Sequence, residues 1–86
     1  MKQFDYAIKD PLGIHARPAG MLAKLIKTYE GTNVVIAKGG NEAKATQLMK
    51  LMTLAIKQGD TVTVKVYGGD EEGAAAAIKA FLEENL

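Results

Sequence analysis

Residues Thr61 to Tyr67 alternate without a break, with Val62, Val64 and Val66 on one side of an extended chain and Thr61, Thr63, Lys65 and Tyr67 on the other. A strand with one apolar and one mainly polar face belongs to a sheet that is covered on one side and wet on the other. Everything else in the chain has to supply either neighbours for that strand or the layer that covers it. With 86 residues there is material for one hydrophobic core and not for two, so residues 1–86 read as a single domain.

The neighbours are legible from the same period. Phe4, Tyr6 and Ile8 alternate with polar or small residues over 2–9, and Asp10-Pro11-Leu12-Gly13 supplies a turn after them. Residues 33–37 are β-rich, Lys38-Gly39-Gly40-Asn41 reads as a hairpin loop, and a short edge strand is expected over 42–45. The covering layer follows a period of 3.6. Ala19, Leu22, Ala23 and Ile26 form one stripe, and Pro18, tolerable only in a first turn, sets the helix start near His15, with the end near Tyr29-Glu30-Gly31. Leu48, Leu51 and Met52 repeat in a short helical segment opened by Thr46 or Gln47 and finished before Gln58-Gly59-Asp60. Asp70 caps a last helix over 71–84, whose stripe is Ala74, Ala77, Ile78, Phe81 and Leu82. The order βαββαβα predicts an α+β fold: an open-faced α/β sandwich, its four-stranded, mostly antiparallel sheet carrying three helices on one face.

Composition removes several classes of function. There is no cysteine and only one histidine, so a disulfide framework, a thiolate metal site and a multi-histidine metal site are all excluded. A net charge of +1 argues against nucleic-acid binding driven by overall electrostatics. No apolar run approaches the ~20 residues that span a bilayer, and MKQFDYAIKD lacks the apolar stretch of a secretory signal. A cytoplasmic protein with no membrane insertion is expected.

The one histidine is where chemistry concentrates. His15 falls at the start of the first helix, where backbone N–H groups lack intrahelical partners, a position that suits anions and disfavours an imidazolium. A neutral ring nitrogen there can act as a nucleophile, and once it is phosphorylated the N–H groups of Ala16 and Arg17 can receive phosphate oxygens. The Arg17 guanidinium can do the same with charge assistance. From spacing alone the plainer reading outweighs this one: His15 is an exposed residue near a helix end and Arg17 is a surface charge.

Gly13-Ile14-His15-Ala16-Arg17-Pro18-Ala19 resembles the G-[LI]-H-[AT]-R-P-A signature of the HPr phosphocarriers, and Leu48-Met49-Lys50-Leu51-Met52-Thr53-Leu54-Ala55-Ile56 resembles their second signature at the expected separation. The likeness extends over the whole length and the same βαββαβα order. It implies that His15 accepts a phosphoryl group at Nδ1 from enzyme I, which draws it from phosphoenolpyruvate, and passes it to enzyme IIA components of sugar transporters, with Arg17 assisting. Such a protein is a carrier that forms a phosphohistidine rather than a self-contained enzyme, needs no metal or cofactor of its own, and is expected to act as a monomer. A nitrogen-branch carrier would use similar residues with other partners. An HPr-like regulator that docks to transcription factors would lack the histidine. Leu12 stands where the family commonly has a small polar residue before the glycine, so a local hydrogen bond near the site is expected to be missing.

The resemblance also implies a docking surface around His15 made of Ala16, Gly20, Lys24 and Lys27 on the first helix and Leu48, Met49, Lys50 and Met52 on the second. Helical spacing by itself turns Leu48 and Leu51 inward and leaves Met49 as the surface candidate. In Gram-positive relatives a serine opening the second helix is phosphorylated by an ATP-dependent kinase. Gln47 occupies that position here and has no hydroxyl, while Thr46, one residue earlier, is read first as an N-cap.

Overall fold

The computed structural model describes residues 1–86, and its elements run β1 (Lys2–Ala7), α1 (Ala16–Lys27), β2 (Asn33–Lys38), β3 (Asn41–Lys44), α2 (Leu48–Thr53), β4 (Thr61–Tyr67) and α3 (Glu71–Asn85). The sheet order is β1-β4-β2-β3, and every neighbouring pair is antiparallel, so no parallel crossover is needed.

Register follows from the apolar parity. Val64 of β4 lies opposite Phe4 of β1 on one side and Ile36 of β2 on the other, which puts all three on one face. Against that face pack Leu22 and Ile26 of α1, Leu51 of α2, and Ala74, Ile78 and Leu82 of α3, all buried in one core with Val62, Val64 and Val66. Truncating any one of the fully buried leucines to alanine costs about 2–5 kcal/mol. Tyr6 sits at the edge of this layer and donates its phenolic hydrogen to the Leu82 carbonyl at 2.9 Å, joining β1 to α3. The opposite face carries Thr63, which donates to Asp5 at 2.7 Å, and Lys65, paired with Glu42 at 3.2 Å; Tyr67 lies on the same face, half exposed.

Several boundaries differ from the sequence expectation, each for a local reason. The β1 ladder stops at Ala7, although Ile8 still donates to Asp60 at 2.9 Å. The first helix ends at Lys27, where the Thr28 hydroxyl turns back to the Leu25 carbonyl at 2.7 Å. Lys38 and Asn41 are paired across the hairpin, which shortens the turn to Gly39 and Gly40 and moves β3 one residue earlier than expected. The residue capping α2 is Gln47 and not Thr46: Ala45 is buried and held to Val34, which leaves Thr46 exposed in the turn before the cap. That helix finishes at Thr53, well short of Gln58, because Ala55 adopts a left-handed φ of 50°. As expected, Asp70 caps α3, accepting the Gly73 N–H at 3.1 Å.

Candidate functional site

The chain enters α1 through a loop that allows one backbone path. Gly13 has φ of +66°, and a Cβ on it would collide with the Ile56 carbonyl oxygen, so only glycine permits the close approach of this loop to the segment after α2. The next residue, Ile14, is buried and donates to that same Ile56 carbonyl at 3.1 Å. With its neighbour anchored, His15 takes the N-cap position of α1 in extended geometry (φ −115°, ψ 174°). Its carbonyl accepts from Ala19 at 3.1 Å, while its side chain makes no capping hydrogen bond and is free for other work.

Two free N–H groups, those of Ala16 and Arg17, follow the histidine, since Pro18 has none to offer. The helix therefore presents the positive end of its dipole beside the imidazole, with Arg17 exposed at the same place. His15 and Arg17 line a cavity of about 210 Å³ together with Asp10, Pro18, Met21 and Asn85. The His15 side chain is 35% exposed, open enough for a reacting group to reach.

Three of these lining residues were not candidates from the sequence. Asp10 was assigned only to a turn, yet its Oδ2 lies 3.8 Å from His15 Nε2. Its other oxygen accepts the Leu12 N–H at 2.8 Å, so the loop before Gly13 has a local carboxylate anchor in place of the polar side chain missing at Leu12. The turn chemistry of Asp10-Pro11-Leu12-Gly13 marks the aspartate as a turn residue and does not show that the turn brings it to His15. Met21 falls one turn and a half along α1 and is 44% exposed, and Asn85 arrives from the far end of the chain, which no local pattern could reveal.

The residues expected to form a docking surface divide between two helices. Ala16, Gly20, Lys24 and Lys27 follow one side of α1, and Gly20 has open space where a Cβ would stand. At 1.5 Å per residue Lys27 lies about 18 Å along the axis from His15, outside the reach of the chemistry itself. On α2, Met49 is 80% exposed and Lys50 is exposed, whereas Met52 is partly buried against the core. Leu51 points inward as expected, but Leu48, the first residue of the short helix, does not: at 36% exposure it lies on the surface. None of the α2 residues lines the His15 cavity. Lys50 instead borders a separate depression of about 290 Å³ with Val35, Glu42, Ala43, Lys44, Gln47 and Tyr67.

Comparison with known proteins places this geometry. Residues 2–84 match the PTS-HPr family, described as the PTS HPr component phosphorylation site. Phosphocarrier protein HPr of Mycoplasma genitalium is 46% identical over 85 residues, 99% of this chain and 97% of that protein. Phosphocarrier protein NPr of Proteus mirabilis is 38% identical over 80 residues, 93% of this chain and 89% of its own. Among solved structures, HPr-C-His from Thermoanaerobacter tengcongensis superposes with a TM-score of 0.90 at 30% identity, covering 98% of this chain and 93% of that one.

Proposed function

The chain belongs to the HPr family of phosphocarriers, and from that premise we propose that Nδ1 of His15 accepts a phosphoryl group from enzyme I, charged by phosphoenolpyruvate, and delivers it to enzyme IIA components of sugar transporters. The observation that carries this reading is the position of the chain's one histidine at the N-cap of α1, its ring uncommitted to capping and followed by two unpaired N–H groups.

In the forward step the Nδ1 lone pair forms a bond to phosphorus while the donor's bond to phosphorus breaks and leaves with its electron pair. Negative charge on the equatorial oxygens is met by the Arg17 guanidinium and by the Ala16 and Arg17 N–H groups, which are already oriented and need no reorganisation. The imidazole is both nucleophile and later leaving group, so one site serves acceptance and delivery, and the alignment of donor and acceptor is supplied by the partner. The partner surface comprises Ala16, Gly20, Lys24 and Lys27 with Leu48, Met49, Lys50 and Met52, cations around an apolar centre in which methionine adapts to different partners. The protein acts as a cytoplasmic monomer. Gln47 at the α2 cap offers no hydroxyl, so the kinase-driven switch of some relatives is absent.

The sugar branch is the first choice, with the nitrogen branch as the alternative because an NPr is also among the relatives. A purely regulatory docking role, as for an HPr-like protein without the histidine, is disfavoured by His15. The test is incubation with phosphoenolpyruvate and either the sugar-branch or the nitrogen-branch enzyme I. An acid-labile, base-stable adduct that disappears in His15→Ala supports the reading, and the faster donor identifies the branch. The absence of an adduct with both donors contradicts it.

A further inference from the structure

We propose that Asp10 is a positioning residue for His15, holding the ring in the Nε2–H tautomer so that the lone pair stands on Nδ1. This rests on the reading of His15 as the phosphoryl acceptor. Asp10 is fixed at three points: its Oδ1 accepts the Leu12 N–H at 2.8 Å, its N–H donates to the Leu86 backbone oxygen at 2.9 Å, and its carbonyl accepts the Gly13 N–H at 2.9 Å. With one carboxylate oxygen used by the turn, the other is left facing the Nε2 edge of His15 at 3.8 Å. That separation is about 1 Å longer than a hydrogen bond, so the role of Asp10 requires the partly exposed ring to turn toward it. An anchored carboxylate facing one ring nitrogen favours the proton there and leaves the other nitrogen as the nucleophile.

The same contact serves the transfer. As the Nδ1–phosphorus bond forms and the donor leaves with its electron pair, the ring keeps its Nε2 proton and becomes a cationic N-phosphoimidazole. Asp10 meets that charge without taking the proton. In delivery the charge is released when Nδ1 regains its lone pair, so the aspartate assists both directions. The side chains of His15 and Asp10 are only 35% and 24% exposed, which limits screening of this pair by solvent.

The decisive variant is Asp10→Asn, which retains an oxygen for the Leu12 N–H but turns an NH₂ donor toward Nε2. Ring-nitrogen chemical shifts of ¹⁵N-labelled protein, recorded where the imidazole is neutral and without any phosphoryl donor, report the tautomer. The wild type is expected to be overwhelmingly Nε2–H and Asp10→Asn to move toward Nδ1–H, with phosphoryl transfer slowed about ten- to a hundredfold, the size of one charge-assisted hydrogen bond. Asp10→Ala should give the tautomer mixture of an unconstrained histidine, and the backbone amide spectrum outside residues 9–16 should stay unchanged in both variants. Identical tautomer populations in all three proteins overturn the role of Asp10 even when wild-type transfer is normal. A wild type that takes no phosphoryl group from any enzyme I overturns instead the reading of His15.

Discussion

Gly20 lies inside α1, in a right-handed helical backbone, and a Cβ built on it meets no atom within 4 Å. Nothing in the fold requires glycine there, so Gly20→Ala should recover the helix propensity that glycine forgoes, about 0.8–1 kcal/mol, without a steric penalty. For a domain of this size that raises the thermal midpoint by roughly 4–8 °C, and with a urea slope of about 1–3 kcal/mol per molar it raises the midpoint by about 0.3–1 M. Two glycines with crowded surroundings, Gly73 and Gly13, serve as controls. A Cβ at Gly73 collides with the Asp70 carboxylate, the cap of α3, so Gly73→Ala trades propensity against a cap worth ~1 kcal/mol and should gain nothing. A Cβ at Gly13 meets backbone at a positive φ, and Gly13→Ala should be strongly destabilising. Urea unfolding of the three variants in parallel gives the order Gly20→Ala above wild type, Gly73→Ala near it, Gly13→Ala far below. An unchanged or lowered midpoint for Gly20→Ala refutes the reasoning. The stabilised position also lies on the proposed docking face, where bulk such as leucine should leave folding intact and slow transfer.

Arg17→Ala should slow phosphoryl transfer by about a hundredfold or more while moving stability by less than ~0.5 kcal/mol, since the side chain is exposed and its proposed role is on phosphate oxygens; stopped-flow transfer and urea unfolding separate the two. Ala55→Gly should stabilise by about 0.5–1 kcal/mol, because alanine holds a φ of 50° at the residue after the α2 cap, where glycine is unstrained; a loss of stability on urea unfolding contradicts this. The Asp60 carboxyl is held below its ordinary value of 3.8 by Lys38, paired at 2.8 Å, and by the Lys57 N–H at 2.8 Å. A depressed carboxylate adds stability that is complete above its ordinary value and is lost as pH falls through the lowered one. The stability gap between wild type and Asp60→Asn should therefore be constant from neutrality to about pH 5 and shrink below pH 4, and a gap that grows on acidification reverses the assignment.

How much of this was legible beforehand varies with the range of the interaction. The strands and helices follow from period, and the strict alternation around Val64 already implied the wet outer face on which Tyr67 lies. Segment ends depended on tertiary pairing. Thr46 has the better capping side chain, but burial of Ala45 and its bond to Val34 place the cap on Gln47. Leu48 obeys the inward spacing of its helix and is still exposed, because spacing along a helix of 6 residues does not determine what its first residue meets. At the site, His15 and Arg17 were visible as a local motif with its family resemblance. Asp10 and Asn85 were not, since their relation to His15 depends on a folded turn and on the return of α3 to the start of the sheet.

The central claim concerns one atom, and it is tested most directly by nuclear magnetic resonance of ¹⁵N-labelled protein phosphorylated by enzyme I and phosphoenolpyruvate. Phosphorus coupling should appear on Nδ1 of His15, accompanied by large shifts of the Ala16 and Arg17 amides and small ones on the open sheet face. Coupling on Nε2, or a phosphorylated His15 that leaves the Ala16 and Arg17 amides unmoved, would contradict the account.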